Sequence, residues 1–244
     1  MMPYALITGA SRGLGLGIAK KLAAAGYCLV LVGRNRHRLD TAVQSLAEPG
    51  KHMALDLDLQ DPAGVESLVA HLLDHGILPE VVIHNLGGKV EHDNHPIDVA
   101  TLRQSLALNL EPAVMINARL IPLMCERGSG KIIHVSSDAA INANASPGYA
   151  IAKAALNAYI VNLARHHVRD NILISGVLPG PLDHEGSDWD VKKRDNPEHY
   201  RNKVGQMPLG RFLDVDEVSD VVANLCNLTS VAMSGSLIKV SGAA

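Results

Sequence analysis

A tyrosine and a lysine four residues apart, Tyr149 and Lys153, are the side chains in this sequence best suited to chemistry. Residues i and i+4 of a helix share one face, so we expect the lysine ammonium to lie against the tyrosine hydroxyl. Lowering the pKa of the phenol from about 10 to about 7 requires roughly 4 kcal/mol of preference for the phenolate. A cation about 4 Å away, at an effective dielectric constant of ~20, supplies roughly that much. The pair is therefore predicted to act as a general acid or base on a carbonyl or an alcohol.

A glycine-rich turn at residues 8–15 predicts a dinucleotide site. The turn follows a predicted strand and opens a predicted helix, whose N-terminus favours phosphate groups. Gly9 is expected to make the tight turn, Gly13 to let the backbone approach a pyrophosphate, and Gly15 to allow close packing of the helix. Without that context, the same glycine pattern would be equally typical of a structural turn.

The end of the second predicted strand indicates which cofactor is bound. A site for NAD(H) has Asp or Glu there to bind the adenosine ribose, whereas this chain has Gly33 followed by Arg34. Arg34 and Arg12 are suited to a 2′-phosphate, because a guanidinium forms paired hydrogen bonds with phosphate oxygens. The alternative is that both arginines are solvated. We expect NADP(H) rather than NAD(H), with Asp58 near the adenine and residues 85–88 beneath the cofactor.

Short apolar runs alternate with longer helical patterns, which predicts strands connected by helices. The predicted strands cover residues 4–8, 28–32, 52–55, 81–84, 131–135, 172–177 and 237–240. The predicted helices cover residues 14–25, 36–47, 62–75, 99–125, 149–168 and 215–228. This alternation specifies right-handed crossovers. We therefore expect one α/β domain over residues 1–244, a Rossmann-like, doubly wound sheet of seven mostly parallel strands with helices on both faces.

The composition fits this architecture and argues against several kinds of partner. Apolar residues make up 47% of the chain and aromatic residues 3%, so aliphatic side chains must fill the core, as between parallel strands and helices. The net charge of −3 and the lack of a long basic run argue against nucleic acid. No apolar stretch approaches the ~18 residues of a membrane helix. Cys28, Cys125 and Cys226 contain no Cys-x-x-Cys pair, so we expect reduced thiols in a cytoplasmic protein.

Neither the histidines nor the cysteines predict a metal site. His71 and His75 have the i, i+4 spacing of helical zinc ligands. The apolar face of their helix turns them toward solvent, and no third ligand follows nearby in the sequence. We expect no metal ion.

A polar segment at residues 182–207 interrupts the alternation of strands and helices. An insertion of that length in a compact domain is usually a lid or a binding loop. Its lysines and arginines favour a hydrophilic or anionic substrate, although a solvated loop that merely closes over the site is equally consistent with the sequence.

The motifs, taken in order, resemble those of the short-chain dehydrogenase/reductase family in its shorter form. The resemblance extends over nearly the whole chain. It rests on the turn at 8–15, the Asn-Leu-Gly at 85–87, Asn109, the Val-Ser-Ser at 135–137, Tyr149 with Lys153, Pro179-Gly180, and the Pro-Leu-Gly-Arg at 208–211.

The resemblance implies a role for each motif. Tyr149 would exchange a proton with the reacting oxygen, and Lys153 would lower the pKa of Tyr149 and bind the nicotinamide ribose. Ser137 would hydrogen-bond the reacting oxygen, and Asn109 would hold a water in the proton path. Hydride would pass directly between cofactor and substrate without a metal. The implied cofactor contacts are Gly9, Ser11, Arg12, Gly13, Leu14, Gly15, Arg34, Asp58, Asn85, Gly87, Tyr149, Lys153, Pro179 and Gly180.

Three features depart from the family pattern, and the first is Leu86, which replaces the smaller Ala of the family's Asn-Ala-Gly near the cofactor. Aligning the strand selects Ser137 as the active serine, whereas the usual family distance to the tyrosine selects Ser136. We prefer Ser137, because a one-residue loop deletion is easier to accommodate than a slipped strand, which would reverse every side chain. After Pro179-Gly180, His184 replaces a threonine expected to contact the carboxamide of the cofactor.

The leading functional hypothesis is an NADP(H)-dependent oxidoreductase of carbonyl groups or secondary alcohols, with a 3-oxoacyl thioester as the first candidate substrate. A sugar or polyol derivative is the second, and a non-catalytic nucleotide-binding scaffold or redox sensor is the third hypothesis. The resemblance also implies a homo-oligomer, a dimer or a tetramer, formed through the long helices at 99–125 and 149–168. The candidate contacts are Val114, Ile116, Ile121, Leu156 and Ile160, unless they face the sheet.

Overall fold

A computed structural model describes residues 2–243 of the chain. Its strands form one sheet in the order β3-β2-β1-β4-β5-β6-β7, and every adjacent pair is parallel. The strands are β1 (Tyr4–Thr8), β2 (Cys28–Gly33), β3 (Met53–Asp56), β4 (Val81–His84), β5 (Gly130–Val135), β6 (Ile172–Pro179) and β7 (Leu237–Val240). The predicted seven-stranded, doubly wound sheet is confirmed. Its strand order reverses between β1 and β4, which is where such sheets bind ligands.

Helices cover both faces of the sheet. The sheet separates the apolar residues into two cores, one on each face. The helices are α1 (Gly13–Ala24), α2 (Arg36–Gln44), α3 (Pro62–Asp74), α4 (Val99–Asn109), α5 (Glu111–Arg127), α6 (Ala139–Asn142), α7 (Pro147–His167), α8 (Asp188–Asp195), α9 (Pro197–Gly205) and α10 (Val215–Asn227). One core contains residues of α1, α2 and α10, and the other contains residues of α3, α5 and α7. Within β1, Ala5 and Ile7 belong to the first core and Leu6 to the second, as the alternation of a strand requires.

Two parts of the chain differ from the prediction. The helix expected at 99–125 is broken at Leu110, whose φ of −126° lies outside the helical range, and α5 begins with Pro112 in its first turn. Proline is favoured in a first turn because its missing N–H has no partner there in any case. The polar segment 182–207 is largely helical, since it contains α8 and α9. Among the described residues, no helix is long and apolar enough to cross a membrane.

Candidate active site

Three elements bring the predicted catalytic residues together at the carboxyl edge of the sheet. Ser136 and Ser137 directly follow β5, Tyr149 and Lys153 lie in the first turns of α7, and Asn109 ends α4. Contacts link α7 to β6, to α4 and to α6. The predicted catalytic side chains are thus placed by elements that pack on one another.

Only one of the two serines is directed toward Tyr149. The Ser137 hydroxyl is hydrogen-bonded to the Tyr149 side chain, where it lowers the pKa of the phenol. The Ser136 hydroxyl instead donates to the main-chain carbonyl of Lys153, at 3.3 Å. This placement favours Ser137 as the serine that contacts the reacting oxygen.

Lys153 and Asn109 meet at the loop that follows β4. The Lys153 Nζ, on a side chain only 3% exposed, donates to the carbonyl of Val135 at 2.9 Å. The Asn109 side chain accepts a hydrogen bond from the N–H of Gly88 and donates to the Gly88 carbonyl, both at 2.9 Å. A Cβ on Gly87 would lie 2.7 Å from Asn109 Oδ1 and 3.0 Å from Lys153 Nζ. Glycine is therefore needed where this loop passes between the two side chains.

The pKa of Tyr149 differs from the expectation. Burial raises this pKa above its usual value although the side chain reaches a cavity, and the carboxylates of Asp138 and Asp188 raise it further. Burial also lowers the pKa of Lys153 to about 8. The Lys153 Nζ lies 5.8 Å from the centre of the Tyr149 ring. At that distance its effect does not compensate the cost of burying a phenolate.

A cavity of about 370 Å³ opens in front of Tyr149. Its wall includes Ser137, Lys153, Pro179 and Gly180 from the predicted set. It also includes Lys89, Asp138 and Asn144, which the sequence did not single out, and Asp188, Trp189 and Lys203 from the polar segment that was predicted to be a lid or a binding loop. The Asp138 Oδ2 is buried and has no hydrogen-bond partner, and burial raises the pKa of this carboxyl group.

A second cavity of about 640 Å³ extends from this wall to the end of β2. It is lined by Gly9, Ser11, Arg12, Gly13, Leu14, Arg34, Asp58, Asn85 and Gly87 of the predicted set, and also by Arg38, which the sequence analysis missed. The Arg34 Nη1 atom lies 3.9 Å from Asp58 Oδ2, and the side chain of Arg34 is 63% exposed. Gly15 lies behind the turn, where a Cβ would be 2.3 Å from the carbonyl oxygen of Gly9. A side chain at this position would therefore collide with the backbone of the turn.

The segment 182–207 contacts the glycine-rich turn directly. The Arg12 guanidinium donates to the carbonyl of Gly186 at 2.8 Å. The His184 ring packs closely on Gly13, where an added Cβ would lie 2.6 Å from the Cε1 and Nε2 atoms of that ring. Gly13 also has a φ of +53°, which favours glycine. His184 lines both cavities. It thus lies between the glycine-rich turn and the helices α8 and α9.

The sequence analysis also missed Asp93, which fixes the start of α7. Its carboxylate accepts hydrogen bonds from the N–H groups of Gly148, at 2.7 Å, and Tyr149, at 2.9 Å. These are N–H groups in the first turn of a helix, which have no partner within the helix. The interacting residues are 55 and 56 positions apart, so no local pattern indicates the contact.

A buried polar network lies behind the site. The Asn117 amide contacts His84 Nε2 at 2.8 Å, His134 Nε2 at 3.3 Å and the Tyr159 hydroxyl at 3.2 Å. The two imidazole rings stack with their centres 4.8 Å apart. Burial lowers the pKa of His84 to about 4 and that of His134 well below its usual value, so both rings are neutral at pH 7.

Comparison with known proteins places this geometry among nicotinamide-dependent enzymes. A family model described as short chain dehydrogenase matches residues 3–195. A 3-oxoacyl-[acyl-carrier-protein] reductase of Aquifex aeolicus is 26% identical over 97% of this chain and 95% of its own length. A galactitol 2-dehydrogenase of Cereibacter sphaeroides is 26% identical over 98% and 93%. The structure of L-sorbose reductase from Gluconobacter frateurii, complexed with NADPH and L-sorbose, is 28% identical and covers 99% of this chain, with a TM-score of 0.89.

Proposed function

Since the chain belongs to the short-chain dehydrogenase family, whose enzymes are oxidoreductases, we propose that it is an NADP(H)-dependent oxidoreductase of a carbonyl or secondary alcohol. The observation that carries the proposal is the meeting of Tyr149, Ser137 and Lys153 on the wall of one cavity that continues to the glycine-rich turn. The chain acts as one domain, in which the segment 182–207 closes the cavity.

The reaction follows from the position of each side chain. A bound nicotinamide supplies or accepts the hydride. The Tyr149 hydroxyl gives a proton to the carbonyl oxygen during reduction and becomes the phenolate, and in the reverse reaction the phenolate takes that proton from the alcohol. The raised pKa keeps this hydroxyl protonated, and Ser137 donates a hydrogen bond to the same oxygen. Lys153 supplies positive charge beside the oxyanion that forms, and Asn109 keeps the Gly88 loop in place.

The preference for NADP(H) is supported by three arginines. Arg12, Arg34 and Arg38 all line the cavity at the end of β2, and Gly33 stands where an acid would bind the ribose of NAD(H). Asp58, which lies two residues after the end of β3, has its Oδ2 atom 3.9 Å from Arg34 Nη1.

The first experiment is a fluorescence titration of the purified protein with NADPH and NADH. NADPH should bind more tightly, and Arg34→Asp should weaken NADPH binding by about tenfold to a hundredfold, because a charged hydrogen bond to phosphate is lost. Arg103→Asp, at an exposed position of α4, is the matched control and should leave both affinities unchanged. Equal affinities for NADPH and NADH in the unmodified protein would contradict the preference.

The polar side chains on the wall of this cavity support a hydroxylated compound, such as a sugar or polyol derivative, as the substrate. The unpartnered, buried oxygen of Asp138 can be satisfied by a substrate hydroxyl. A 3-oxoacyl thioester is the second candidate, supported by the likeness to the Aquifex aeolicus reductase. Lys89 and Lys203, at the same cavity, suit the phosphate of such a thioester's carrier group.

A substrate panel separates these candidates from each other and from a scaffold without catalysis. L-Sorbose, galactitol and an acetoacetyl thioester are offered with NADPH or NADP⁺ as the direction requires. Asp138→Asn should raise KM for the hydroxylated compounds and leave that for the thioester unchanged. Tyr149→Phe should lower kcat by about 10² to 10⁴ for every substrate that turns over. If Tyr149→Phe left every NADPH-dependent property unchanged, the scaffold hypothesis would replace the enzyme.

A further inference from the structure

Three side chains with metal-binding atoms meet at the edge of the sheet opposite the active site. Cys125 lies near the end of α5, His167 is the last residue of α7, and Asp170 follows in a short 3-10 helix. All three are half-buried, and no other group of three or more His, Cys, Asp or Glu side chains among residues 2–243 has this arrangement. Neither the proposed reaction nor the cofactor uses them.

The distances among the three atoms match one face of a metal tetrahedron. Cys125 Sγ lies 3.8 Å from His167 Nδ1 and 3.4 Å from Asp170 Oδ2, and the last two atoms are 3.0 Å apart. Zinc bonds of usual length at tetrahedral angles place such ligand atoms about 3.3 to 3.6 Å from each other. Each observed distance needs a change of only a few tenths of an ångström.

The arrangement is that of converging ligands and not of a proton relay. A relay from a thiol through histidine to a carboxylate uses both ring nitrogens, one for each partner. Here the same nitrogen, His167 Nδ1, faces both the sulfur and the carboxylate. A single ion can therefore contact all three atoms at once.

The backbone around the cluster is held in place independently of any ion. Asn171, which directly follows Asp170, donates from its side chain to the carbonyl of Gly128 at 2.9 Å. Gly128 ends α5 with a φ of +72°. This hydrogen bond ties the turn after α7 to the end of α5, so two of the three ligands are fixed relative to the third.

The electrostatic environment favours a cation. The helices α5 and α7 both end at the cluster, and the carbonyl groups at a helix C-terminus carry partial negative charge. The side chains of His167 and Asp170 are 27% and 41% exposed, which leaves room for a fourth ligand from solvent.

We propose that Cys125, His167 and Asp170 form a binding site for a zinc-like divalent transition metal ion that joins the ends of α5 and α7. Mixed sulfur, nitrogen and oxygen ligands suit Zn²⁺, whereas Mg²⁺ and Ca²⁺ require oxygen ligands. The ion replaces the thiol proton of Cys125, which is released to solvent, and binds His167 through Nδ1. The sequence analysis expected no metal ion and did not consider this cluster, since Cys125 and His167 are 42 residues apart and no local spacing indicates it.

The test is a cobalt titration of the full chain, purified without a histidine tag. Co²⁺ should give a thiolate-to-metal charge-transfer band that saturates at one ion per chain and disappears when Zn²⁺ is added. Cys125→Ser should abolish the band, and His167→Gln and Asp170→Asn should each weaken Co²⁺ binding by about tenfold or more. His166→Gln, at the exposed neighbouring position, is the matched control and should change nothing.

A second measurement does not depend on the spectrum. Zn²⁺ at a hundredfold excess over its Kd should raise the Tm by about 5 °C in the unmodified protein and in His166→Gln, but not in Cys125→Ser. NADPH binding by each variant checks that it is folded. A band that Cys125→Ser retains, or no band at stoichiometric Co²⁺, would overturn the proposal and leave a hydrogen-bonded surface cluster.

Discussion

The buried histidines His84 and His134 make the stability of this protein sensitive to acid. Both rings lie in the core beside Asn117, in an environment that favours their neutral forms. Lys153 adds positive charge near His134 and further lowers its pKa. These residues at the ends of β4 and β5 were not predicted as a network, because only the sheet brings the two strands together.

We predict that the free energy of unfolding depends on pH through His84. In the unfolded chain a histidine has a pKa near 6.5, whereas burial lowers that of His84 to about 4 in the folded protein. Between these values the unfolded state binds more protons, so the free energy of unfolding falls as the pH falls from about 6.5 to 4. His84 alone should account for about 3 kcal/mol of this loss, measured by urea unfolding across that range.

The variant His84→Gln isolates this effect from the titration of carboxylates. It removes the titrating group and keeps a side chain that can hydrogen-bond to Asn117, so its stability should fall less steeply between pH 6.5 and 4. His37→Gln, at an exposed position of α2, should have the slope of the unmodified protein. Equal slopes for His84→Gln and the unmodified protein would show that His84 is not held neutral.

At the level of elements, α7 carries Tyr149 and Lys153, and its N-terminus is anchored by a single distant carboxylate. Asp93 accepts the N–H groups of Gly148 and Tyr149. Asp98 caps the N-terminus of α4 in a similar way, because its carboxylate accepts a hydrogen bond from the N–H of Thr101 at 2.7 Å. The two aspartates therefore differ mainly in which helix they anchor.

We predict that Asp93→Ala lowers kcat more than its loss of stability explains. Removing the carboxylate leaves two N–H groups of the first turn unpaired and lets the Tyr149 hydroxyl move from its place beside Ser137. Asp93→Ala should lower kcat by at least about tenfold with little change in KM for NADPH, and Asp93→Asn, which keeps one acceptor, should recover part of the rate. The measurement is steady-state kinetics together with chemical unfolding.

Asp98→Ala is the control for this prediction. It should cost about 1 kcal/mol of stability, the usual effect of losing an N-cap, while kcat stays the same. If both variants lost kcat in proportion to stability, Asp93 would be an ordinary cap without a positioning role.

Elements with local signals were predictable, and those that depend on distant contacts were not. Asp61 before Pro62 caps α3, and Asp214 with Glu217 forms the capping box of α10, so both helices begin at residue types that are typical of such starts. The break at Leu110 was missed because the helical pattern continues across it, although Pro112 was an available signal. The helices α8 and α9 were missed because their polar sequences show no apolar face. Ser187 and Pro197 mark where these helices begin.

At the scale of the whole molecule, the two edges of the sheet carry different features. The carboxyl edge holds Tyr149, the glycine-rich turn and the segment 182–207. The opposite edge holds the cluster of Cys125, His167 and Asp170. The helices α5 and α7 run between the two edges on one face, where their buried residues belong to the same core.

The same two helices bear on the oligomeric state. Of the five contacts expected for an interface, four face the sheet: Ile116, Ile121, Leu156 and Ile160 are at most 5% exposed. Only Val114 remains at the surface, 37% exposed. Ile151 and Val161 on α7 are exposed as well, at 44% and 45%. Exposed aliphatic side chains on the two longest helices support an interface through α5 and α7, in which Val114 is an expected contact and Ile151 and Val161 are additional ones.

We therefore predict a homo-oligomer whose mass by light scattering is a multiple of 25.9 kDa. Replacing Val161 with Glu places a charge where an apolar contact is buried on association, so Val161→Glu should shift the mass toward that of one chain. Leu73→Glu is the control, because Leu73 is also exposed, at 54%, but lies on α3. A single-chain mass for the unmodified protein would exclude the oligomer. An unchanged mass for Val161→Glu would move the interface away from this part of α7.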